Sequence, residues 1–166
     1  MTDAPRNVLF LCTGNSARSV LAEVYANAKS RGRFKAFSAG SHPKGVIHPL
    51  TLEVLRSVSL DTTDLRSKSW DEFAVADAPQ MDFVITVCDS AAGEVCPVWP
   101  GQPISAHWSF PDPAAREGTE TERRAFFGEV FRQIRNRVDL LFSLPLKRLD
   151  RLSIQREVRA IGQTNA

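Results

Sequence analysis

Residues 6 to 19 read RNVLFLCTGNSARS, and the fold follows from how this stretch divides. Val8, Leu9, Phe10 and Leu11 form a short unbroken apolar run, the pattern of a strand covered on both faces in a parallel sheet. Thr13, Gly14, Asn15, Ser16 and Ala17 have small side chains, so their backbone amides can curl around one point. A helix begins there, with its unsatisfied N–H groups and positive dipole end aimed into the same loop. Strand, small-residue loop and helix make the first βα turn of an α/β fold and a seat for an oxyanion.

Cys12 stands at one lip of this loop and Arg18 at the other. A Cys among inward amides at a helix N-terminus sees positive potential, which moves its pKa from about 8.5 towards neutrality and makes it a nucleophile. Ser19 is placed to donate a hydrogen bond to the thiolate. The planar guanidinium of Arg18 can grip two oxygens of a tetrahedral anion, which a Lys cannot do.

At 166 residues and 43% hydrophobic content, the chain is expected to bury one ordinary core. A net charge of +2 and 8% aromatic residues, with no basic run interleaved with aromatics, argue against a nucleic-acid partner. No stretch approaches the ~20 apolar residues of a membrane span, and MTDAPRNVLF lacks signal-peptide architecture, so a cytoplasmic protein is expected. Three Cys in a domain of this size suggest catalytic or redox thiols rather than a disulfide framework.

Outward from the loop, residues 17 to 31 read as a helix with Val20, Leu21, Val24 and Ala28 buried, and residues 34 to 40 as a second strand. Pro49 opens a helix carrying Leu52, Leu55 and Val58 to the core, and His42 and His48 read as surface or capping residues. Ser69 and Glu72 form a capping box. MDFVITVC, 81 to 88, is the third strand and ends on Cys88; DSAAGEV then separates it from Cys96. Ile104 to Trp108 is the fourth strand, followed by Asp112 in FPDPAA. Thr119 and Glu122 cap a helix with Phe127, Phe131, Ile134, Val138 and Leu141 along one side. This alternation implies a four-stranded parallel sheet, helices on both faces, and ligands at the carboxyl ends of the strands. Residues 144–166 extend the chain as an amphipathic helix lined by Leu149, Leu152, Ile154, Val158 and Ile161, docked on its own domain 1–143 or on a second subunit.

CTGNSARSVLAE, 12 to 23, resembles the anion-loop signature of the low-molecular-weight protein tyrosine phosphatase superfamily, and within it the arsenate reductases of thioredoxin-coupled type. Cys12, Asn15, Ser16, Arg18, Ser19, Ala22 and Glu23 match; Ala17 departs, since many relatives carry a second Cys there. The resemblance covers roughly residues 6 to 142. It implies a three-layer αβα fold with strand order 2-1-3-4, Thr13 to Ser19 as the oxyanion-binding loop, and no metal or tightly bound cofactor. HWSFPDPA, with His107, Trp108 and Asp112, is also similar to the reductase segment, in which the Asp lies near the loop.

Two reactions share such a loop. In a phosphatase, the Cys12 thiolate attacks phosphorus, Asp112 protonates the leaving group, and water frees the phosphocysteine. In a reductase, the arsenic(V) adduct needs further thiols. The resemblance supplies them at Cys88, which would expel arsenite as a Cys12–Cys88 disulfide forms, and at Cys96, which would pass that disulfide outward. Ala114 and Ala115 follow Asp112-Pro113 where tyrosine phosphatases of this fold usually place Tyr, which favours reduction of arsenate. The reductant is then thioredoxin, or glutaredoxin with a low-molecular-weight thiol; the oligomer is a monomer or homodimer. An oxyanion-binding regulator with an unreactive Cys12 is the non-enzyme alternative. Asn15, Glu23 and Ser38 either hold a cation or stiffen the loop by hydrogen bonds.

Overall fold

The structure is a computed structural model and describes residues 4–89, 97 and 99–164. Strands β1 (Arg6–Cys12), β2 (Phe34–Gly40), β3 (Phe83–Thr86) and β4 (Ile104–His107) form one sheet in the order β2-β1-β3-β4. Every pairing is parallel, with Cys12 opposite Gly40 and Leu11 opposite Thr86. The expected α/β sheet and strand order are therefore present. Among the described residues it is accompanied by the helices α1 (Arg18–Lys29), α2 (Pro49–Ser57), α3 (Glu120–Ser143) and α4 (Arg151–Ile161). Among the described residues, none of these helices is long and apolar enough to cross a membrane.

The apolar run of β1 is buried on both sides because alternate side chains leave a strand in opposite directions. Val8 and Phe10 join Leu21 of α1, Phe131, Ile134 and Val138 of α3, and Ile154 and Val158 of α4. Leu9 and Leu11 instead meet Val84, Met81, and the Trp70 and Phe73 side chains of a short 3-10 turn. Central placement of β1 puts its carboxyl end, and so Cys12, between β2 and β3 at the rim where ligands bind in such sheets.

Several sequence expectations shift at the edges of elements. Helix α1 ends at Lys29, and in its last turn Ala28 is exposed while Tyr25 and Ala26 just before it are buried. Helix α2 packs through its first turn, where Leu50 meets Ala17 and Phe127. Val58, its C-cap, is consequently 42% exposed rather than core, and Leu52 is only half-buried beside the buried Leu55. The third strand is trimmed from 81–88 to Phe83–Thr86, although the Val87 amide still reaches the Leu11 carbonyl at 2.8 Å. The fourth strand stops at His107.

At residue 69 the cap is one-sided: the Ser69 hydroxyl accepts from the Asp71 amide, while the Glu72 carboxylate pairs with Arg66 at 2.9 Å. Thr119 does cap α3, accepting from the Glu122 amide at 3.1 Å, and all five apolar residues named on that helix are buried. The C-terminal helix docks on its own chain. Ile154, Val158 and Ile161 are buried, and the Trp108 indole donates to the Val158 carbonyl at 3.0 Å; Leu152, on the opposite side of α4, is 64% exposed.

Candidate active site

The loop after β1 is shaped by where its carbonyls go. Those of Cys12, Thr13 and Gly14 accept from the amides of Ser41, His42 and Lys44 at 3.3, 2.9 and 3.0 Å. The Ser16 carbonyl accepts from the His48 amide at 3.0 Å and the Thr51 hydroxyl at 2.9 Å. A planar trans peptide points its N–H opposite its C=O. Carbonyls tied outward to residues 41–51 therefore turn the amides of Thr13, Gly14, Asn15 and Ala17 inward, the arrangement of an anion nest. Gly40 lets this happen at close quarters: a Cβ there would collide with the Thr13 carbonyl and lie 3.0 Å from the Asn15 amide.

Asn15 is the pivot. It is fully buried with φ of 46°, a left-handed conformation that Asn tolerates better than most residues. Its amide oxygen accepts from the Lys68 backbone N–H at 2.9 Å, which fixes which end of the side chain is the NH2. That NH2 donates to Ser19 Oγ at 2.8 Å and Ser38 Oγ at 3.0 Å, and Ser38 in turn donates to Glu23 at 3.1 Å. Ser19 Oγ, which accepts from Asn15, lies 2.9 Å from Cys12 Sγ, where its own proton can be donated to a thiolate. Asn15, Glu23 and Ser38 thus stiffen the loop by hydrogen bonds, and the Lys68 ammonium, 3.6 Å from Glu23, supplies the positive charge there. Among the described residues there is no group of three or more His, Cys, Asp or Glu side chains able to hold a metal.

Cys12 is 4% exposed and not in a disulfide. Burial pushes its thiol up from the ordinary value and outweighs the Ser19 hydroxyl and the Ser19 and Asn15 amides, which pull it down; Cys88 nearby adds to the rise. The sequence expectation of a depressed thiol is corrected here. The N-terminus of α1 does lie beside Cys12, but the same enclosure that builds the nest also strips water from the sulfur. Ala17 is the N-cap residue of α1 and faces Leu50 and Phe127 rather than the nest.

Arg18 extends from the first turn of α1 to the segment after β4, donating to the Phe110 carbonyl at 3.0 Å and standing 3.7 Å from Asp112. Asp112 is bound at its other oxygen by the Ala114 amide at 3.0 Å, so it both starts a 3-10 turn and faces Arg18. Cys88, 2% exposed, lies two residues past β3, with its sulfur 3.7 Å from the Thr13 hydroxyl. Arg18, Cys88 and Asp112 line one cleft of about 500 Å³ together with Asp89, Ser109, Phe110 and Pro111. Cys96 lies outside the described residues.

Three features of the site escaped sequence reasoning. Lys68 has no motif around it, and Gly40 was read only as a strand end. His107 was noted for resemblance alone; its ring links Thr86 Oγ1 at 2.7 Å to the Asp89 carboxylate at 2.8 Å, and hydrogen bonds from His107 and Ser109 hold Asp89 below the usual carboxylate range. His48, expected as a capping residue, caps α2 by accepting from the Leu50 amide at 3.0 Å, and burial keeps its pKa below the ordinary histidine value.

Residues 7–157 match the family model described as low molecular weight phosphotyrosine protein phosphatase. An arsenate reductase of Bacillus subtilis is 37% identical over 131 residues, 79% of this chain and 91% of the relative. A solved arsenate reductase in the phosphate binding state superposes with a TM-score of 0.68 at 28% identity, covering 83% of this chain and 97% of that one. The thioredoxin-dependent arsenate reductase of Corynebacterium glutamicum superposes with a TM-score of 0.55 at 26% identity over 84% of this chain and 65% of that one. The chain belongs to the low molecular weight phosphotyrosine protein phosphatase family and, within it, stands among the arsenate reductases.

Proposed function

We propose that the protein reduces arsenate to arsenite through a thiol relay that starts at Cys12. The amides of the nest and the Arg18 guanidinium hold the oxyanion over the sulfur. Cys12 attacks arsenic, an As–O bond breaks, and the arsenate hydroxyl leaves as water with the proton given up by the Cys12 thiol, relayed through Asp112. The Cys88 sulfur then attacks Cys12 Sγ. The S–As bond breaks, its electron pair stays on arsenic, and arsenic(V) becomes arsenic(III) as two thiols become one disulfide.

Cys96 attacks Cys88 next, which restores the Cys12 thiol and leaves a Cys88–Cys96 disulfide for an external dithiol. Thioredoxin is the reductant that the Corynebacterium glutamicum relative supports; glutaredoxin with a small thiol is the alternative. The observation that carries the reading is the Cys88 sulfur beside Thr13, in the same cleft as Arg18 and Asp112.

The test is mass spectrometry after one equivalent of arsenate, followed by turnover with thioredoxin, its reductase and NADPH. A Cys12–Cys88 or Cys88–Cys96 linkage is expected, Cys12→Ser or Arg18→Ala abolishes turnover, and Cys88→Ser stops at one arsenic adduct. Sustained turnover by Cys88→Ser would remove the relay. Efficient hydrolysis of para-nitrophenyl phosphate without arsenate reduction would assign the loop to phosphatase chemistry instead.

A further inference from the structure

Arg137 of α3 is a guanidinium buried to 7% exposure, and both of its terminal nitrogens donate to backbone carbonyls. One reaches Ser109 at 2.6 Å and the other reaches Thr164 at 3.0 Å. The same group lies over the Phe110 ring at 4.6 Å. The next carbonyl along, that of Phe110, is the one that accepts from Arg18. Thr164 lies beyond residue 157, where the match to the family model ends, so this tie belongs to the part of the chain that the family pattern does not describe.

We propose that Arg137 is a positioning residue for the oxyanion site: it pins Ser109 and Phe110, against which Arg18 rests, to the chain's own C-terminal tail. A buried cation is costly to keep, and a fold that keeps one between two carbonyls and an aromatic face gains orientation in return. The tail is itself fixed, since Gly162 packs where a Cβ would collide with the His107 carbonyl and the Thr164 amide donates to Ile161 at 3.1 Å. Helix α4 therefore braces the wall of the cleft through Arg137, and Arg18 inherits its position from that wall. A Lys at 137 keeps the charge, but a single ammonium cannot span both carbonyls while stacking on Phe110.

This inference rests on the oxyanion role given to Arg18. The experiment uses the full chain with inorganic phosphate as the probe, reading the phosphate concentration that half-protects Cys12 from iodoacetamide. In Arg137→Lys and Arg137→Gln that concentration rises about tenfold, the size of one misplaced charge-assisted hydrogen bond. The alkylation rate without phosphate stays within about twofold, and the loss against arsenate falls on KM rather than kcat. Half-protection within about twofold of wild type, or a phosphate-free rate that moves as far as the protection does, overturns the proposal. Failure of both variants to fold also overturns it, by making Arg137 a structural residue. Indifference of the wild-type protein to phosphate would instead defeat the oxyanion reading of the loop.

Discussion

Replacing Ser19 by Ala tests the directed hydrogen-bond chain that ends on the nucleophile. Asn15 donates to Ser19, whose hydroxyl lies 2.9 Å from Cys12 Sγ and can donate to its thiolate, and both groups lie where water does not replace the lost donor. A hydrogen bond to a charged group contributes about 1.5–3 kcal/mol. At about 1.36 kcal/mol per unit, its removal raises the Cys12 pKa by one to two units. The thiol already lies above its ordinary value because burial outweighs the hydrogen bonds that favour the thiolate. Ser19→Ala moves it further up and lowers the rate near neutrality by about tenfold or more.

The assay is the pH dependence of iodoacetamide alkylation, with the Cys12 adduct quantified by mass. Ser38→Ala is the control: it removes the other acceptor of Asn15 without touching the sulfur, and it leaves the midpoint of the curve nearly in place. Coincident wild-type and Ser19→Ala curves, or an Ala curve at lower pH, would refute the reasoning. The second outcome would mean that the thiol donates to Ser19, not the reverse.

Lys68→Met strands Glu23 in a site that already raises its pKa by burial, and breaking this pair costs about 3 kcal/mol. In thermal unfolding at neutral pH, that lowers the midpoint by roughly 6–12 °C. A carboxyl whose folded pKa is raised stabilises the fold below its unfolded value and loses that contribution as pH climbs through the folded one. The gap to wild type therefore narrows as pH falls through the raised folded values and has closed by the time the ordinary carboxyl value is reached. Gly40→Ala drives a methyl into the Thr13 carbonyl, costing about 1–3 kcal/mol and weakening phosphate protection of Cys12 as the nest shifts. Ile154→Ala costs about 2–5 kcal/mol by opening the seam between α4 and the sheet, whereas Leu152→Ala stays within about 0.5 kcal/mol; equal effects in denaturant titration would contradict the docking of α4.

The sheet was legible because its signal is local. Four apolar residues in a row, five small ones and a helix start fall within one βα turn, and the 3.6-residue stripe on α3 needs no tertiary information. Helix ends were less legible, since Ala28 and Val58 carry the right spacing but sit where the partner surface has run out. The hydrogen-bond partners of Asn15 come from residues 19, 38 and 68, and no periodicity joins them. Lys68 has no sequence signal at all, because its role depends on its backbone N–H meeting one amide oxygen. The sign of the Cys12 shift escaped for a related reason. The favourable terms, amides and a helix end, are written in the sequence, whereas desolvation depends on what closes over the sulfur from elsewhere.

The same nest serves attack on phosphorus or on arsenic, because both ask for a tetrahedral oxyanion held over one sulfur. The reactions part only afterwards. A sulfur–phosphorus adduct has no accessible reduced state to fall into, so it waits for water, and Asp112, half exposed beside Arg18, stands where water reaches it. A sulfur–arsenic adduct can also be resolved at sulfur, and a thiol fixed in the same cleft competes at effective molarities of about 10⁵ M or more when aligned, far above that of water. Cys88, buried with its sulfur 3.7 Å from the Thr13 hydroxyl of the anion loop, is the thiol to which the proposed relay gives that part. On this reading the division between hydrolysis and reduction lies outside the anion loop, in whether the chain leaving β3 brings a sulfur back to it. That explains how a loop common to the whole family can belong to a reductase here.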